Sequence, residues 1–176
     1  IKYLIKAVHI LFNNLIKGNK SLKNKIRLTI VGEGKEKANL KKLSKKLNIN
    51  DITEFIGAIE HNEVPKYLNS FDIFCAPSIK ESFGVAVVEA SACALPVIVS
   101  NVGGLPEVVD DGVTGYVVQP EDEKKLAERI YELVINNEKR DRFGKNGRKK
   151  VEELYDWENN VSKMIEIYKN MIQKYN

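Results

Sequence analysis

The chain has 176 residues, 43% hydrophobic and 30% charged, which is enough apolar material for one domain core and too much for a disordered segment. Twenty-eight Lys and Arg against 24 Asp and Glu leave a net charge of only +4, and a nucleic-acid partner would call for more charge and for aromatics among the bases. No apolar run approaches about 18 residues, no signal-peptide pattern opens the chain, and the isolated His9 and His61 show no metal-ligand spacing.

Ile1, Leu4, Ile5, Val8, Leu11, Phe12, Leu15 and Ile16 repeat at helical spacing, so the chain opens inside an amphipathic helix with no preceding cap. The β-branched run 26–31, closed by Gly32-Glu33-Gly34, predicts a strand, and the helical period returns through Ala38, Leu40, Leu43 and Leu47. Residues 52–57 read as a strand, 62–70 as a short helix capped by Asn62, and 71–77 as a buried strand. A helix over 84–94 and a strand over 96–100 follow. A glycine-containing turn then leads to a strand ending near Val118. Three helices close the chain, over about 121–136, 138–154 and 157–174, the last capped by Asp156 with Trp157 as a packing anchor.

Strand and helix thus alternate five times before a helical tail, which predicts a single α/β domain over 1–176 with a parallel sheet covered on both faces. Cys75 and Cys93 each lie in an apolar run and read as buried thiols of a reducing compartment. The lysine-rich helical stretches read as solvated faces, with an anionic membrane surface as the competing partner.

In such a sheet a ligand sits at the carboxyl ends of the strands, so the loops after the strands are the candidate sites. The segment 77–84 turns into a helix at Phe83, Gly84 and Val85. The free N–H groups and positive dipole end of such a terminus suit phosphate, and Gly84 permits close backbone approach. Glu81 precedes this helix and Glu89 lies on it. Eight helical residues place their backbones roughly 12 Å apart, longer than the about 5–9.5 Å of a hydrolase carboxylate pair, although side-chain reach keeps hydrolysis open. A nucleoside diphosphate sugar has the matching layout, with hydroxyls at both ends and phosphates between. The bland alternative has Glu81 capping the helix and Glu89 facing solvent. A dinucleotide-dependent oxidoreductase would want a third glycine that the 32–37 loop lacks.

The run from Glu81 to Val118, with its E-x7-E spacing and its P-E-V-V-x-D-G-x-T-G segment, resembles the donor-binding signature of the retaining, GT-B-fold group 1 glycosyltransferases. Segments 28–34, 52–78 and 155–168 resemble the same domain in the same order. The resemblance implies a Rossmann-like C-terminal domain and transfer of a hexose from a UDP-, GDP- or ADP-sugar in glycan or polysaccharide biosynthesis. It assigns Glu81 to the transferred sugar beside the reacting carbon, Ser82, Phe83, Gly84 and Val85 to the donor sugar and diphosphate, and Glu89 to the ribose. Ile59 then lies beside the base, with Gly32 and Gly34 lining the nucleotide crevice. No metal or other cofactor is expected. The location is cytoplasmic or peripheral at the cytoplasmic membrane face.

Relatives place a strand, an Arg and a Lys before a helix like the one that opens this chain. The resemblance therefore implies a fragment that lacks the first strand and an N-terminal domain binding a glycan or lipid-linked acceptor. Such a piece is expected to be inactive alone. A non-catalytic or truncated nucleotide-binding module of the same fold is the alternative.

Overall fold

A computed structural model describes residues 1–175. Helix α1 (Lys2–Ile10) runs on into one wider turn, Leu11–Leu15, and buries the apolar stripe that the opening residues predict, with Ile5, Ala7 and Leu11 fully enclosed. A short α2 (Lys20–Lys23), capped by the Asn19 side chain, leads into β1 (Leu28–Val31). Then follow α3 (Lys37–Lys46), β2 (Thr53–Gly57), α4 (Val64–Leu68), β3 (Phe74–Ala76), α5 (Val85–Ala92) and β4 (Val97–Ser100). The chain ends with α6 (Leu105–Val108), β5 (Gly115–Val118), α7 (Glu123–Ile135), α8 (Asn137–Leu154) and α9 (Trp157–Tyr175). Asp122, Asn136 and Asp156 accept the amides three residues on at 2.8–2.9 Å and so start the last three helices, as expected for Asp156.

All strand pairs are parallel, but the sheet falls into two leaves. β1 pairs with β2, Leu28 opposite Thr53, with an irregularity between Ile30 and Val31. β3, β4 and β5 form a separate three-stranded leaf with Phe74 opposite Val97 and Val97 opposite Gly115. Successive β4 side chains point to opposite faces. Ile98 joins the core of α1, α7, Leu28, Ile30 and Tyr116, whereas Val97 and Val99 join that of α5, α6 and Leu68. Helices therefore cover both faces, as the strand–helix alternation predicts.

Two expectations need correction. β4 is buried at every position, but the equally apolar β3 is only half-buried throughout, because β4 pairs with one of its edges and no described strand pairs with the other. Trp157 is not an anchor: it is 79% exposed, and all of α9 through Lys174 lies on the surface. A smaller correction concerns Asn62. It falls inside a 3₁₀ turn (His61–Glu63), and α4 starts from Glu63 with no side-chain cap.

α8 owes its close seat to glycines read only as helix interior. A Cβ on Gly144 would lie 2.0 Å from the Ala94 carbonyl oxygen, and one on Gly147 would touch Ser91 at 3.5 Å. Both cysteines are free and half-buried, and burial pushes the Cys75 thiol up to about 12.

Candidate donor-binding site

The turn between β3 and α5 is built from backbone. Gly84 begins α5 in the left-handed region (φ 94°, ψ 47°), where a Cβ would also lie 2.5 Å from Leu105 Cδ2, so glycine is required there. Val87 and Val88 both donate to the Gly84 carbonyl, and the amides of Phe83, Gly84 and Val85, like that of Ala86, have no hydrogen-bond partner among the described residues. Free N–H groups at the positive end of a helix suit an anion in position and charge. The Ser82 amide is not among them: it donates to Glu81 Oε1 at 3.0 Å.

A glycine pair holds this turn from beneath. Gly104 donates to the Ser82 carbonyl at 3.1 Å, and Gly103 sits in the left-handed region at φ 53°. A Cβ would lie 1.7 Å from the Glu81 carbonyl oxygen at Gly103 and 2.8 Å from that of Ser82 at Gly104. The adjacent glycines signal a turn in the sequence, but their role against Glu81 and Ser82 is visible only in three dimensions.

Glu81 is half-buried and does not cap α5, since its carboxylate binds the next amide rather than one inside the helix. Glu89 does not face open solvent. Its side chain is 29% exposed, and Oε1 lies 3.8 Å from Nδ1 of His61, in the turn that follows β2. The contact brings α5 against the loop that carries Ile59. Below it, a 240 Å³ apolar groove separates α4 from α5, lined by Val64, Pro65, Leu68, Ala92 and Cys93. His61 gave no signal in the sequence beyond being isolated.

Gly32 and Gly34 occupy the end of β1. The Gly32 amide donates to the Gly57 carbonyl at 2.7 Å, and a Cβ on either Gly32 or Gly34 would meet nothing within 4 Å. Gly32, Gly34 and Ile59 thus follow the carboxyl ends of β1 and β2, and Glu81–Val85 follow that of β3. The Glu89–His61 contact joins the two groups. Among the described residues no hydrogen bond links Gly32 or Gly34 to the 81–85 turn. Among the described residues, no three His, Cys, Asp or Glu converge to hold a metal, and no helix is long and apolar enough to cross a membrane.

Comparison with known proteins agrees with this architecture. The family model "Glycosyl transferases group 1" matches residues 1–150. The N-acetyl-α-D-glucosaminyl L-malate synthase of Bacillus anthracis is 34% identical over 147 residues, covering 84% of this chain and 38% of that protein. The sucrose-phosphate synthase structure from Thermosynechococcus elongatus superposes with a TM-score of 0.79 at 28% identity, over 98% of this chain and 43% of that one. The Anabaena protein HepE, solved in complex with UDP, has the same fold, with a TM-score of 0.79 at 23% identity over 92% of this chain and 44% of that one. The chain thus spans about two fifths of the length of these relatives.

Proposed function

We propose, from the premise that this chain belongs to the group 1 glycosyltransferases, that it supplies the donor-binding half of a retaining hexosyltransferase. The observation that carries the proposal is the set of unpartnered amides at Phe83, Gly84 and Val85, flanked by Glu81 before them and Glu89 beyond. The UDP complex of a protein of the same fold supports a nucleotide ligand for this half.

In this reading the diphosphate lies on the three amides, with the helix dipole offsetting its charge. Glu89 accepts hydrogen bonds from the ribose hydroxyls, and the base enters beside Ile59 over the open crevice at Gly32 and Gly34. Glu81 accepts from hydroxyls of the transferred sugar, which fixes the anomeric carbon next to the cradle. The bond from that carbon to the phosphate oxygen breaks as the acceptor oxygen bonds to it from the same face. Attack on that face retains configuration, and the departing phosphate takes the acceptor's proton. The cradle binds the charge that grows on the leaving phosphate, a contact stronger in the transition state than in the ground state.

The acceptor site belongs to a further domain in this proposal, and one more strand belongs in the sheet. The unpaired, half-exposed edge of β3 supports a strand between the β1–β2 leaf and the β3–β5 leaf.

Titration of the chain with UDP-, GDP- and ADP-sugars, with product analysis in the complete protein, tests this reading. Saturable binding of one donor, an α-linked product from an α-linked donor, and loss of transfer in Glu81→Ala are expected. Absence of nucleotide binding in the complete protein would remove the proposal. Equal transfer rates for Glu81→Ala and wild type would strip Glu81 of its role.

A further inference from the structure

We propose that Tyr155 is a positioning residue for the phosphate cradle, acting through Phe83; the inference rests on the donor-site reading above. Phe83 stands 43% exposed at the rim of the turn, and its ring meets the edge of Tyr155 with centroids 5.6 Å apart and planes at 74°. That is favourable quadrupole geometry for an aromatic pair. The next residue, Gly84, is in the left-handed region with no side chain of its own to restrain it. The Phe83–Gly84 peptide, whose N–H is one of the cradle donors, is held on the Gly84 side by the Val87 and Val88 amides and on the other side by Phe83.

Tyr155 is well placed to hold that ring. It terminates α8, its amide donates to the Val151 carbonyl at 2.8 Å, and its side chain packs on the cluster containing Val87 and Leu105. The turn is then gripped twice, with Gly103 and Gly104 on the carbonyls of Glu81 and Ser82 and Tyr155 on the ring of Phe83. The first grip sets the Ser82–Phe83 peptide, whose N–H is a cradle donor, and the second adds a hold on the Phe83 ring. Tyr155 meets the cradle residues through the Phe83 ring and also packs on the cluster whose Val87 and Leu105 lie against Gly84.

The test separates the phosphate end of the ligand from the nucleoside end. UDP and uridine are titrated by calorimetry into wild type, Tyr155→Phe, Tyr155→Leu and Phe83→Leu, with thermal melts alongside. Tyr155→Leu should weaken UDP about three- to tenfold, the loss expected of one edge-to-face pair, and leave uridine affinity unchanged. Tyr155→Phe keeps the ring and should bind UDP within about twofold of wild type. Phe83→Leu removes the same pair from the other side at an exposed position, so it serves if Tyr155→Leu fails to fold. The double variant should lose no more than either single one.

Unchanged UDP affinity in folded Tyr155→Leu or Phe83→Leu would overturn the proposal. So would parallel weakening of UDP and uridine, which marks a general structural effect. Failure of wild type to bind UDP, GDP or ADP would instead remove the donor-site reading, and this inference with it.

Discussion

Gly103→Ala places a methyl group 1.7 Å from the Glu81 carbonyl oxygen. Ordinary carbon–oxygen contacts are about 3.3–3.6 Å, so the two loops must part by roughly 1.6–1.9 Å or the residue must leave its φ of 53°. The opposing atom is backbone, and no side-chain rotation relieves it. Overpacking of this kind costs about 1–3 kcal/mol, and a non-glycine residue in the left-handed region costs roughly 1–2 kcal/mol more. The sum is about 2–5 kcal/mol, equivalent to a fall of roughly 4–20 °C in Tm for a domain of this size. If the loop yields, less stability is lost, but the 81–85 turn shifts and UDP affinity falls. Calorimetric melts and UDP titration on the same sample capture both outcomes. Gly34→Ala is the control: its Cβ meets open space, and a change within about 0.5 kcal/mol is expected. A Gly103→Ala protein that melts within a degree or two of wild type and binds UDP equally would refute the clamp.

Gly144→Ala drives a methyl to 2.0 Å from the Ala94 carbonyl and should lift α8 off α5, with loss of about 1–3 kcal/mol in urea melts; an unchanged midpoint would contradict that packing. Asp122→Ala removes the cap on α7 and should cost about 1 kcal/mol, largely recovered in Asp122→Asn. Glu132 offers a pH test. Burial alone would raise its carboxyl, but hydrogen bonds with Lys139, Tyr116 and Arg129 outweigh this and hold it at about 2, below its ordinary 4.5. A carboxyl lowered in the folded state stabilises above the unfolded value, so this contribution is complete above pH 4.5 and is lost as pH falls toward 2. The side chain is 32% exposed, so the effect is discounted to roughly 1 kcal/mol. Stability of Glu132→Gln between pH 6 and 2 should fall less steeply than that of wild type, and parallel curves would exclude the linkage.

The order and type of the elements are legible because each rests on local signals. The i, i+3, i+4 stripe of α1, the β-branched runs of β1 and β4, and the side-chain cap at Asp156 are all visible in short windows of sequence. The β3–α5 turn is legible for the same reason, since a strand followed by a glycine and a helical run marks a strand-to-helix turn. What escaped depends on contacts between distant segments. The burial of β3 is set by its neighbouring strands rather than its composition, and Trp157 lacks the surface it was expected to pack on. Gly103, Gly104, Gly144, His61 and Tyr155 carry roles defined by atoms 22 to 72 residues away, which no periodicity encodes.

The division of the sheet has a mechanical corollary. On the proposed site, the purine or pyrimidine is held by one leaf and the pyrophosphate by the other, so the gap between leaves works as the jaw of a calliper whose opening must match the span of the nucleotide. Whatever bridges that gap stiffens the jaw, and by thermodynamic reciprocity a nucleotide clasped across it stiffens the bridge in return. In the proposed reading, binding of a bridging strand and binding of the nucleotide are one coupled equilibrium.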